Sequence, residues 1–345
     1  MKYLDQHFRV WILFLTGILS LSVVSAKAGS LHFPRPTYGI CLGNSPRFTG
    51  LRINFSDREV VQLNGINVTL WRARENNRAV VNGLSLGLYG PEAGVLRGIQ
   101  AGLISVAGTH RVQGVSLAAL GVGSGGTVRG VSAAGIGVGA DSLVRGIAIG
   151  GIGVGSGGSL QGVMLGGLGV GAMDDVQGIA MGVLGVGAGE NIRGLSAGLL
   201  GVGAGENLSG IAIGGIGVGS GNNLHGAFAG GVGVGCRGEL AGVAIAGMAV
   251  AAGGIRGVAV SLIANGAYQL KGGMATLLYN RIRTGGVAQG VLVGSYNRVS
   301  GKMVGLSLGL VNEAQRLNGV QIGLINIVHQ NPGIARVFPL FNFGK

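Results

Sequence analysis

The stretch LVRGIAIGGIGVGSGG, Leu143 to Gly158, is one copy of a unit that returns every 16 residues. Its Gly146 has counterparts at Gly98, Gly114, Gly130, Gly162, Gly178, Gly194, Gly210, Gly226 and Gly242, and its Val154 recurs at the same interval from Val106 to Val250. A period that does not slip over so long a run requires every copy to occupy the same geometric slot as its neighbours. Five positions of each copy are mostly apolar, here Val144, Ile147, Ile149, Ile152 and Val154, and the residues between them are mainly Gly, Ala or Ser. Spacings of two within Ile147/Ile149 and Ile152/Val154 are a strand signature, because alternate residues of a strand share a side. Parity shifts at Gly150-Gly151, and a bend at these glycines, which tolerate positive φ, would turn both pairs toward one interior. A small polar turn closes the copy, Ser156 to Ser159 here and Gly189-Glu190-Asn191 further on. The reading is an all-β repeat protein, a β-solenoid of Gly-rich coils of about 16 residues, with all five aliphatic side chains expected in a shared interior.

Working outward, residues 98–256 form the regular array, flanked by irregular repeats at 50–97 and 257–330. Anchor glycines in the later part are read at Gly257, Gly273, Gly290, Gly305 and Gly319. Residues 29–49, with Pro34, Pro36 and Pro46, read as an N-terminal lead-in or cap, and residues 331–345 as a C-terminal cap. An open last coil would expose its interior and its unpaired backbone; Phe338, Phe341 and Phe343 are the candidates to cover it.

Two late copies, Gly305-Leu-Ser-Leu-Gly-Leu-Val-Asn312 and Gly319-Val-Gln-Ile-Gly-Leu-Ile-Asn326, are followed by the tail Phe338-Pro-Leu-Phe-Asn-Phe343. These residues resemble the bacterial surface-repeat family first recognised in spirochaetes, with its Gly-Leu-x-Leu-Gly-Leu-x-Asn repeats. The resemblance covers roughly Gly50 to Phe343 and implies an exported, surface-associated bacterial protein; it brings no catalytic residues. The central copies depart from the pattern in lacking its terminal Asn.

Composition points the same way. Of 345 residues 75 are Gly, and only 11% are charged and 5% aromatic, where ordinary domains have about 7% Gly and about 25% charge. This is not the make-up of a conventional compact enzyme, while a 47% hydrophobic fraction and a strict apolar period argue against disorder. Lys2 and Arg9 precede an apolar run from Val10 to Ala26 and then Ala26-Lys27-Ala28. That order predicts a signal peptide over residues 1–28; the alternative is an uncleaved anchor, for which the run is short. The expected destination is the cell surface, the outer membrane or the medium.

The formal charge is +13, and part of it is ordered. The position before the anchor glycine holds Arg97, Arg129, Arg145 and Arg193, a candidate outward basic column. Such a stripe attracts anionic envelope polymers or membrane headgroups; a merely solvated edge is the competing reading, and Asp174, Asp175, Glu190 and Glu206 interrupt any field of one sign. Cys41 lies before the array and Cys236 deep within it, so two unpaired thiols are expected.

No catalytic, cofactor-binding or metal-binding residues are predicted. The segment Gly153-Val-Gly-Ser-Gly-Gly158 lacks the Lys and Ser/Thr of a phosphate loop. Histidines are scattered, Asp174-Asp175 suits a turn, and the central array has too few aromatics for a nucleic-acid surface. The expected function is therefore a non-catalytic scaffold or adhesin-like surface, with protein partners or anionic polymers and membrane association open, and no specific nucleic acid. Two rivals stand: an outer-membrane β-barrel or pore, and an enzyme with its site in residues 29–80 or 279–303.

Overall fold

A computed structural model describes residues 29–344; the predicted leader, 1–28, lies outside the described residues. The chain divides into two compact units with the boundary after Gly150. Each is all-β and each is built of solenoid coils.

In the first unit, strand Ser30–Arg35 pairs antiparallel with Tyr38–Gly43, which starts a parallel series through Arg47–Asn54, Gln62–Thr69, Val80–Gly87, Glu92–Gly102 and Ser105–Ala118. The ladder continues in 16-residue register, Gly98 opposite Gly114, Gly130 and then Gly146. In the second unit a long strand and a short strand alternate. Val176–Gly182 stacks on Ile192–Gly198, then Leu208–Gly214 and Leu224–Gly230, while the valines of the short strands stack from Val170 to Val250. Transmembrane barrels are antiparallel and closed. Parallel ladders one coil apart make this a β-solenoid and exclude the barrel.

The coil turns at its anchor glycine. Gly178 has φ +112° and Gly194 φ +122°, and a Cβ on either would run into the carbonyl oxygen of the glycine one coil earlier. Only glycine fits a left-handed backbone pressed against its neighbour. The expected bend does follow Gly150, at Gly151-Ile152 between the strands Leu143–Gly150 and Gly153–Ser156, but the positive φ expected there is found instead at the anchor Gly146, four residues before Gly150. Past the array the register also corrects one anchor, since Gly272, φ +133°, and not Gly273 pairs with Gly257 and Gly290.

The interior differs from expectation in a way that matters. Val144 and Val154 are buried, but Ile147 is 42% exposed, Ile149 43% and Ile152 51%. Inward positions are instead the second before the glycine and the second, fourth, eighth and tenth after it. In the second unit they read Val176, Ala180, Gly182 and Val186, with Ala188 half-buried. The second slot before the glycine takes large aliphatics, Leu160, Ile192, Leu208, Leu224 and Leu240, and Met164 and Phe228 are also inside. The fourth slot after it lies against neighbouring backbone and is Gly or Ala in most copies. A Cβ at Gly182 would meet the Gly169 Cα at 2.9 Å and the Val170 amide nitrogen at 3.1 Å. The aliphatics one, three and six after the anchor go outside.

Amides take over the interior near the C-terminus. The Val250 slot passes to Asn265, Asn280, Asn297 and Asn312 in register. Each amide donates to the next side-chain oxygen, at 3.1, 2.8 and 2.9 Å, and Asn312 donates to Asn326 at 2.8 Å. Buried amides are tolerated when each is bonded in this way. The last strand, Val337–Gly344, pairs antiparallel with Val311–Val328 and caps its edge. Phe338, Phe341 and Phe343 do not seal the interior as expected. All three are exposed, and buried Asn342 points inward, because an end that is already amide-lined needs donors and acceptors more than rings.

Candidate functional site

The outward aliphatics form ordered columns. In the first unit the residue after the anchor glycine gives Ile99, Val115, Val131 and Ile147, directly opposite one another in the ladder. Two residues on, Leu117 and Ile149 are exposed, and at the following corner Ile104, Leu120 and Ile136. Neighbouring rungs lie about 4.8 Å apart, so these side chains touch solvent as one apolar face. No residue of 99–104, 115–120, 131–136 or 147–150 is charged. Where Ala119 and Ala133 replace larger neighbours, the face sinks into an open trough of about 810 Å³ walled by Leu86, Leu88, Leu103 and Leu117. The corner column continues toward the N-terminus as Phe55, Trp71 and Tyr89, with ring centroids 6.5 and 6.2 Å apart and the Arg72 guanidinium 5.9 Å from the Tyr89 ring.

The second unit repeats the pattern on its own coils. Ile179, Ile211 and Val243 follow the anchors, Met181, Ile213 and Ile245 come two residues later, and Leu168, Leu184, Leu200 and Ile216 stand at the corner, all exposed. A soluble monomer seldom exposes contiguous apolar patches of more than a few hundred Å².

The predicted basic column divides between the units. Arg97, Arg129 and Arg145 share one edge of the first unit, in register with Gln113. Arg97 and Arg145 are exposed and Arg129 is half-buried, its Nε without a hydrogen-bond partner. Among the described residues none of the three forms an ion pair. Arg193, in the second unit, lies 3.9 Å from Asp175, and Arg256 at the equivalent place lies 3.0 Å from Glu239. The arginines precede the apolar column by two residues, on the other side of the anchor glycine, so they border the face.

Other polar groups are structural in arrangement. Asp175, Asn191, Asn207 and Asn223 make a turn ladder with bonds of 2.9, 3.0 and 3.0 Å. Their 16-residue spacing was the signal for it in the sequence. Arg52 and Asp57 form a buried pair at 2.6 Å, supported by Asn44, Asn54, Asn67 and Thr69. Glu313 accepts from Tyr296 and from His329, the latter at 3.0 Å, with Arg298 at 3.5 Å. Burial would raise the Glu313 carboxyl, but the hydrogen bonds from Tyr296 and His329 and the charge of Arg298 outweigh it and hold its pKa below the usual value. Burial, then the Glu313 hydrogen bond, pushes the Tyr296 phenol up to about 12. An ionised carboxylate beside a phenol held protonated is a stable pair at neutral pH.

Cys41 is buried and Cys236 half-buried; both are free thiols, pushed up in pKa chiefly by burial. Among the described residues no three His, Cys, Asp or Glu side chains converge as a metal site, and no helix is long and apolar enough to cross a membrane. No family model, curated protein or solved structure matches the chain.

Proposed function

We propose that this protein is a non-catalytic, exported scaffold of the cell envelope whose working part is its outward aliphatic face. One observation carries the reading: Ile99, Val115, Val131 and Ile147 stand opposite one another in the ladder on the outside of the coil, where stability of the lumen does not need them. Water-exposed Ile and Val in register are costly to solubility, and covering them releases roughly 25 cal/mol per Å² of apolar area. An adhesin-like or envelope-docking surface uses that energy. The leader-like N-terminus and the likeness of the late copies to the surface-repeat family support the same place of action.

Fractionation of the native host tests it. The protein should be found with the envelope and move to the soluble pool when Ile99, Val115, Val131 and Ile147 are replaced together by Thr, which keeps strand propensity. Recovery of the unaltered protein in the soluble pool would refute the reading, as would unchanged fractionation of a variant with an intact circular dichroism spectrum.

A further inference from the structure

We infer that the apolar face of the first unit docks on an anionic lipid bilayer, its edge arginines contacting the headgroup phosphates; this deepens the scaffold reading and rests on it. Charge complementarity selects the occupant. Arg129 and Arg145 stand on adjacent rungs, and Arg97 is two rungs from Arg129, with no carboxylate partner among the described residues. Guanidiniums about 4.8 Å apart along a ladder repel one another. A phosphate surface removes that repulsion by pairing with the planar fork of each arginine.

The face beside them has the chemistry of an interfacial membrane element: aliphatic side chains in the middle, cations at the border, and no charge within. Arginine stems can lie along apolar surface while their heads reach the phosphates. The corner aromatics fit the same plane, since Trp and Tyr rings concentrate at the headgroup level. Trp71 is 52% exposed and Phe55 65%. The trough bounded by Leu103 and Leu117 offers acyl chains an apolar recess. A second copy of the chain is a poorer occupant, because both faces would carry arginine edges and the whole protein is +13. In the second unit Asp175 and Glu239 already neutralise Arg193 and Arg256, so the anionic preference is assigned to the first.

Co-sedimentation of the purified protein with vesicles tests this, comparing equimolar phosphatidylglycerol and phosphatidylcholine with phosphatidylcholine alone. Binding should favour the anionic vesicles and weaken as salt rises, a readout that needs no variant. Replacing Arg97, Arg129 and Arg145 together by Gln should weaken anionic binding on the order of 100-fold, from about 1 kcal/mol per residue at such a surface and about 1.4 kcal/mol per tenfold. Replacing all three by Lys should retain most of it. Equal binding to both vesicles, indifference to salt, or unchanged binding of a folded Gln variant would overturn the inference. So would a stable dimer that ignores vesicles. If vesicle binding fails while the Thr variant still leaves the envelope fraction, the lipid assignment falls and the scaffold reading survives; if the unaltered protein is soluble in the host, the scaffold reading itself falls.

Discussion

Replacing Gly178 by Ala should destabilise the second unit far more than replacing Gly187, nine residues later, by the same residue. At Gly178 φ is +112°, and the added Cβ would be driven into the carbonyl oxygen of Gly162. A non-glycine residue held in such a conformation costs on the order of 1–3 kcal/mol. Relieving the clash requires the strands Ser159–Gly166 and Val176–Gly182 to part locally. Loss of about two ladder hydrogen bonds adds roughly 2 kcal/mol, for a total of about 3–5 kcal/mol. At Gly187 a Cβ meets nothing within 4 Å and φ is not left-handed, so alanine should be neutral or stabilise by about 0.4–1 kcal/mol through the unfolded chain. Thermal melts followed by circular dichroism give the ranking. Hydrogen exchange of the amides in Val176–Gly198 then localises the effect, because repeat arrays can open coil by coil. If the two variants melt together, with equal protection at Val176–Gly182, the anchor glycine does not set the coil and the reasoning fails.

Four further outcomes are expected. Asn297→Ala should cost about 2–4 kcal/mol, since buried Asn280 loses one of its two acceptors and buried Asn312 one of its two donors, whereas Asn207→Ala in the half-buried turn ladder should cost about 1 kcal/mol; denaturant melts of both variants check the contrast. Asp57→Ala should cost about 3–5 kcal/mol by stranding the Arg52 charge, and the double variant Arg52→Met/Asp57→Leu should recover much of it, as read by thermal melting. Glu313 has a lowered folded pKa, so its stabilisation is complete above the free carboxylate value of about 4.3 and is lost as pH falls through the folded value; Glu313→Gln should flatten the acid limb of a stability–pH profile. The Tyr296 contribution runs oppositely, complete below the free phenol value and lost as pH rises through about 12, and absorbance titration of tyrosinate against Tyr296→Phe should show one late-ionising phenol in the native protein.

The repeat and its coil were legible in the residues because backbone geometry enforced them. A glycine every 16 residues marks a site where a Cβ would strike the previous coil, and the valine at Val106 to Val250 marks a column that stacks on itself. The turn ladder from Asp175 to Asn223 was equally periodic and could have been read in the same way. The basic column of Arg97, Arg129, Arg145 and Arg193 was visible as a period, but its division into unpaired and ion-paired members was not, because the partner acids Asp175 and Glu239 sit one coil earlier.

What the amino-acid order settled by itself was the period, the strand character and the coil-by-coil register. Only the tertiary structure decided which side of each strand is inside. Ile147, Ile149 and Ile152 are more hydrophobic than Ala148 and Gly150, yet the smaller pair is buried. Alternation fixes which residues share a side and leaves open which side is covered. Here the choice fell to where the chain bends. In the regular array the slots four after the anchor, such as Gly182, lie against neighbouring backbone and hold only Gly or Ala. The second before it takes Val176, Ile192, Leu208 and Leu224 inward, and Ile147, Ile149 and Ile152 are left outside as an apolar surface.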